Sequence, residues 1–198
     1  KLPTAFAGQI DFGSFTAHKI HGPKGIGALY VAATARPWLA PVMFGGGQER
    51  GLRPGTLPTH QVVGFGRACA LAKEEGGADA IRVGALREAL WRSLAHLPGV
   101  SLNSPLAGGS PAILNVSFEG VEGESLVTAL TEIAISTGSA CSSATAAGSY
   151  VLRSLGRSTE LAQSSLRFSL GRFTCAADIE RASEAVKRAF MRLRSVAP

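Results

Sequence analysis

The sequence predicts an α/β chain in which a region built on a strand–loop–strand precedes an α+β region. Three observations carry that expectation. β-prone apolar runs at 10–15 and 26–33 flank a tight, glycine-containing loop. From residue 59 onward, stretches with helical spacing alternate with short strand-like runs, the order expected of α/β or α+β layers. Hydrophobic residues make up 45% of the 198, enough for a sizeable core and too many for a disordered chain.

The elements follow in order. Ile10 to Phe15 and Ile26 to Ala33 read as strands, joined through Gly22-Pro23-Lys24-Gly25. Arg36-Pro37-Trp38-Leu39-Ala40-Pro41 is kept out of helix by its two prolines. The stretch Phe44-Gly-Gly-Gly-Gln-Glu-Arg-Gly-Leu-Arg-Pro-Gly-Thr56 reads as a loop, with Arg50, Arg53 and Thr56 available to an anion. A helix capped by Thr59 is expected to reach about Glu75, burying Val62, Val63, Phe65, Ala68, Cys69 and Leu71, with Cys69 as a core thiol. Gly76-Gly77 is expected to break it. A second helix over 79–97 then buries Ile81, Leu86, Leu90 and Leu94 and stops at Pro98-Gly99. Beyond it come a strand (112–118), a helix (123–132), a short strand (133–136), a Gly/Ser loop, a helix (149–155), a strand (165–170) and a last helix (176–195). Thr174 is the expected N-cap of that last helix, with Asp178 and Glu180 near its positive end. A domain boundary falls near Gly76, dividing 1–75 from 76–198.

Composition limits the function classes. The net charge is +6, but the basic residues are scattered and carry no aromatic interleaving, so a nucleic-acid partner is not expected. No apolar run approaches the roughly 20 residues that span a bilayer, so no membrane role is expected. No signal peptide is seen, and Lys1-Leu-Pro reads like a segment cut from something longer. The three cysteines, at 69, 141 and 175, form no Cys-x-x-Cys pair, which argues against a disulfide framework or structural zinc site and for a reducing, cytoplasmic setting.

Two stretches carry chemistry. In Ser14-Phe-Thr-Ala-His-Lys-Ile-His-Gly-Pro-Lys-Gly25, Lys19 is an amine at the start of a tight loop, placed to condense with a carbonyl cofactor once desolvated or crowded by positive charge. Thr16 and His18 offer hydrogen-bond donors suited to a phosphate. The residues alone leave a solvated loop lysine open. In Ser136-Thr-Gly-Ser-Ala-Cys-Ser-Ser143, Cys141 sits among small residues with nothing bulky to bury it; reaction requires its thiolate, and the sequence does not show what generates it. A Ser-rich turn that happens to hold a cysteine stays open. Arg167, on a strand between apolar neighbours, needs an anion, either a carboxylate ligand or a structural ion pair. Arg172 is the weaker claimant, and Cys175, at a helix start, is taken as incidental.

The run Thr16-Ala-His-Lys19 followed by Gly22-Pro-Lys-Gly-Ile-Gly-Ala-Leu-Tyr30 resembles the pyridoxal-phosphate lysine segment of the cysteine desulfurases, in the class V aminotransferase group. The loop around Cys141 resembles the active-site loop of group I of that family, and the Gly-His-His-Cys-like motif of the other group is not found. The resemblance covers essentially the whole chain but only the later half of the family's usual length. It implies the later part of a fold-type I transferase large domain, over 1–75, and a smaller C-terminal α+β domain, over 76–198. It implies pyridoxal 5'-phosphate held on Lys19 with Thr16 and His18. Thr56 would contact the phosphate of a partner subunit, so a homodimer is implied. Arg167 would hold the α-carboxylate of L-cysteine. Cys141 would take the substrate sulfur as a persulfide, leaving alanine, and pass it to an acceptor protein, an iron–sulfur scaffold or a tRNA-thiolation relay. The family's ring-pairing aspartate, glutamine, stacking histidine and first phosphate-binding turn have no counterpart in this sequence. Other readings are a selenocysteine lyase or aminotransferase of the same fold, a non-catalytic binding module, and a cysteine hydrolase pairing Cys141 with His18, His21, His60 or His96.

Overall fold

In the computed structural model, which describes residues 8–137 and 148–196, the first strands are β1 (Phe12–Thr16) and β2 (Gly27–Val31), paired antiparallel with Phe12 opposite Val31 and Thr16 opposite Gly27. Glycine is needed at 27, because a Cβ there would stand 2.6 Å from the Phe15 carbonyl oxygen. The link between the strands opens with a single 3-10 turn, Ala17–Ile20, and His21 closes it at φ 66°. Gly22 N donates to Ala17 O at 2.9 Å and Ala17 N to Ile26 O at 3.2 Å. Further 3-10 turns span Ala33–Trp38 and Gln48–Gly51.

One helix, α1 (Thr59–Leu94), occupies the span where two were expected. Gly76 and Gly77 do not break it. Each costs only about 1 kcal/mol relative to alanine, and good helix formers flank them: Leu71, Ala72, Lys73, Glu74 and Glu75 before, Ala78 and Ala80 after. The chain divides into two compact units, Lys1–Gly77 and Ala78–Pro198. In the first, the buried hydrophobic residues among those described are Ala17, Ala35 and Ala68. Cys69, Val62 and Val63 are exposed, against expectation: among the described residues of the first unit, no large apolar side chain is buried.

The second unit closes around a three-stranded antiparallel sheet, ordered β3 (Val100–Leu102), β4 (Ile113–Phe118), β5 (Ser165–Ser169). Its core gathers Val83, Leu90 and Leu94 from α1, Leu114, Val116 and Phe118 from β4, and Leu166 and Phe168 from β5. Leu126 joins from α2 (Gly123–Ala129). Ile179, Val186 and Phe190 come from α5 (Ala176–Val196), seven and four residues apart as an amphipathic face requires. Phe118 and Phe190 meet edge to face at 5.3 Å. Ile81, expected in this core, is 79% exposed. It lies nine residues before Leu90, about half a turn out of phase at about 100° per residue, whereas Val83 is in phase.

Two further expectations are corrected, and one helix is added. The stretch 133–136 forms no strand; only Ser136 bridges to Arg167 at the outer edge of β5. The short helix α3 (Tyr150–Ser154) stands where one was expected over 149–155, and a second, unexpected one, α4 (Thr159–Gln163), follows it, opening on Ser158, whose hydroxyl accepts from Leu161 N. Thr174 does not cap α5: its hydroxyl accepts from Gly171 N, and the Asp178 carboxylate takes the Cys175 N–H at 2.9 Å. That backbone bond is the main reason the Asp178 carboxyl titrates below its ordinary range. Among the described residues, no helix is long and apolar enough to cross a membrane.

Candidate active site

Lys19 lies in the 3-10 turn that follows β1, exposed, one residue after His18 and three after Thr16. Thr16 ends β1 with extended backbone, and the turn then brings its hydroxyl within 2.8 Å of His18 Nδ1. A primary amine, a hydroxyl and an imidazole thus share a four-residue segment. This donor set fits an aldehyde-bearing phosphate: the amine for the carbonyl carbon, the other two as hydrogen-bond partners for anionic oxygens. The first unit leaves Lys19 in solvent, so it does not itself supply the desolvation that promotes amine nucleophilicity.

Thr56 lies exposed in the loop after the triple glycine. Backbone geometry shapes that loop: Glu49 and Arg50 take left-handed φ values of 50° and 61°, and Gly55 N donates to Gln48 Oε1 at 3.0 Å. Arg53, expected to be available to an anion, gives Nη1 to the Pro54 carbonyl at 3.1 Å.

Arg167 stands on β5 opposite Asn115, on the sheet face away from the Leu114, Val116 and Leu166 core. That second face is polar yet shielded. Asn103 Nδ2 lies 2.7 Å from Asn115 Oδ1 and 2.8 Å from Ser117 Oγ, and Ser117 and Ser165 hydroxyls meet at 2.8 Å. Arg167 N donates to Ser136 O at 2.7 Å. Its side-chain Nε is buried and has no acceptor among the described residues. Arg87 Nε is buried and unmatched in the same way, so this feature alone does not single out Arg167. Cys141 lies outside the described residues; the covalent chain puts it five residues after Ser136.

Arg172 is engaged elsewhere. Its Nε reaches Asp79 Oδ2 at 2.6 Å, and Arg82 from the next turn of α1 donates to the carbonyls of Thr174 and Arg172. The Arg172 hydrogen bond foremost, with help from Arg82, holds the Asp79 carboxyl below its ordinary range. Cys175 is exposed, with Sγ 3.2 Å from Asp178 Oδ2. Among the described residues, no group of three or more His, Cys, Asp or Glu is arranged to hold a metal ion.

The model of the aminotransferase class-V family matches residues 7–182. The chain belongs to that family. Class V aminotransferases and cysteine desulfurases depend on pyridoxal phosphate. Over 190 residues the chain is 52% identical to the cysteine desulfurase IscS of Edwardsiella ictaluri, covering 96% of this chain and 47% of that protein. It is 53% identical to IscS of Cronobacter sakazakii over the same share of each. Among solved structures, a NifS-like protein superposes with a TM-score of 0.78 at 32% identity, covering 95% of this chain and 47% of the other. This class V chain thus spans about half the length of the relatives it matches. Its fold is the matching part of a fold-type I enzyme of the NifS-like kind.

Sequence reasoning missed the Asp79–Arg82–Arg172 cluster and the buried Arg87. The latter donates to the carbonyls of Ser110 and Leu106 at 2.7 Å each. The i,i+3 spacing of Asp79 and Arg82 is a local signal, but Arg172 and the carbonyls that Arg87 meets lie far away in sequence.

Proposed function

We propose that this chain is the later half of a pyridoxal phosphate-dependent cysteine desulfurase, which converts L-cysteine to L-alanine and carries the sulfur away as a persulfide on Cys141. The observation that carries the reading is the Thr16–His18–Lys19 turn, with its 2.8 Å hydroxyl–imidazole contact beside the amine. The desulfurase names of its half-identical relatives support it. Residues 1–75 serve as part of the cofactor-binding large domain and 76–198 as the small domain bearing the cysteine loop.

Each residue has a task. Lys19 anchors the cofactor and, once freed, moves a proton at the substrate Cα. Thr16 and His18 orient the phosphate, and Thr56 serves the phosphate of a second subunit in a homodimer. Arg167 meets the substrate carboxylate through its guanidinium fork. The Cys141 thiolate then attacks the substrate sulfur. An S–S bond forms as the C–S bond breaks, and the carbon that keeps the electron pair takes a proton. The cofactor, when bound, supplies the electron sink. An acceptor protein, an iron–sulfur scaffold or a thiolation relay in the cytoplasm, removes the persulfide sulfur.

Absorbance spectra of the purified protein with pyridoxal phosphate, before and after L-cysteine, test this. A band near the visible edge that Lys19→Ala abolishes, and a persulfide that Cys141→Ala abolishes, are expected. Arg167→Ala should raise the cysteine concentration for half-effect roughly 30-fold, since a charged hydrogen bond is worth about 2 kcal/mol. A band with cysteine turnover that survives Cys141→Ala would point elsewhere: to a lyase if alanine forms, to a transaminase if the 2-oxo acid forms with its sulfur retained. No band at all would leave a binding module.

A further inference from the structure

The turn that follows Lys19 is seated on the first turns of α1 by three contacts. Pro23 packs on Gly64, where a Cβ would stand 2.6 Å from Pro23 Cγ and 3.1 Å from Cδ. A Cβ on Gly22 would meet Ala68 Cβ at 3.1 Å and Ala17 Cβ at 2.9 Å, and both alanines are buried. Gln61 Nε2 donates to the Lys24 carbonyl at 2.9 Å. A glycine inside a helix costs about 1 kcal/mol relative to alanine, so one that a proline ring would otherwise strike has a packing reason. Gly66, two residues on, has nothing within 4 Å of its virtual Cβ and so no such reason. The seating reaches Lys19 through the backbone. Pro23 fixes Gly22, whose N–H closes the turn onto Ala17 O at 2.9 Å, with His18, Lys19, Ile20 and His21 enclosed between them.

We propose that Gly64 and Gln61 are positioning residues for Lys19: they dock the turn 22–25 on α1 and so set the direction of the amine. This rests on the reading of Lys19 as the cofactor lysine. A helix is the appropriate platform, because a loop held only by its own ends wanders, and a misplacement of about 1 Å costs about a hundredfold in reaction rate.

The test traps pyridoxal phosphate on Lys19 with borohydride across a concentration series, quantifies the labelled peptide by mass spectrometry, and follows amide exchange at Ala17 and Gly22. Gly64→Ala should raise the half-saturating concentration about tenfold, the scale of an overpacked contact, and speed exchange at both amides. Gly66→Ala should leave both readouts unchanged. Pro23→Ala added to Gly64→Ala should restore labelling, since it vacates the contested space; a general loss of stability would not be repaired that way. Gln61→Ala should shift labelling about threefold, as one hydrogen bond allows. Wild-type labelling in Gly64→Ala, an equal loss in Gly66→Ala, or no recovery in the double variant overturns the proposal. If Gly64→Ala does not fold, unchanged labelling in Gln61→Ala overturns it alone. Absence of label on Lys19 in the wild type overturns the cofactor reading instead, while exchange at Ala17 and Gly22 still decides the seating.

Discussion

The two units of this chain are built on opposite balances. The second buries Phe118, Phe190, Leu90, Leu94, Leu114 and Leu166 almost completely, with both faces of its sheet shielded. The first buries alanines and leaves Phe12, Leu29, Trp38, Val42 and Phe44 between 45% and 89% exposed. Yet the first holds Lys19, Thr16, His18 and the glycine-rich loop. The second carries a core of large apolar side chains; a two-stranded hairpin with an uncovered apolar surface is marginal by itself. The contrast teaches that candidate catalytic side chains can be ordered by backbone geometry, here a 3-10 turn and a proline–glycine contact, where no large core supports them.

The contrast can be broken most forcefully in the second unit. Phe118→Ala should cost about 3–5 kcal/mol in urea melts, since it empties a filled site and removes the edge-to-face partner of Phe190. Arg87→Ala should cost about 2 kcal/mol, because two carbonyls at 2.7 Å lose a charged donor. Where the units join, Gly77→Ala should raise stability by up to about 1 kcal/mol, as its virtual Cβ has nothing within 4 Å and the helix is continuous there. In the first unit Leu29→Ala should stay within about 0.5 kcal/mol, the side chain being 54% exposed. A loss comparable to that of Phe118→Ala would erase the distinction between the units.

The smallest effect concerns acid. Asp79 titrates lower in the folded chain than in the unfolded one, so its contribution is complete above the unfolded carboxylate range of about pH 3.9 and lost as pH falls through the lower folded value. Asp79→Asn should therefore flatten the decline in stability as pH falls below about 4. An unchanged decline would assign it to other carboxylates, Asp178 first among them.

Much of this was open to reading residue by residue, for a physical reason. The lysine turn, the strands beside it, β4, β5 and α5 are specified locally, by glycine placement, alternation and the spacing of apolar residues. The lysine and cysteine segments carry their chemistry in contiguous residues, so the family could be recognised from them. Some misreadings are local: Thr174 turns to Gly171 N instead of capping α5, and the helix formers around Gly76-Gly77 outweigh the two glycines. The others concern relations between distant segments. Whether Cys69 and Ile81 are buried depends on which face of that one helix meets a sheet. That Asp79 finds Arg172, that Arg87 finds Ser110, and that Gly64 must lack a side chain because Pro23 lies on it are consequences of the folded chain. A sequence states which groups are present, but only close packing decides which of them touch.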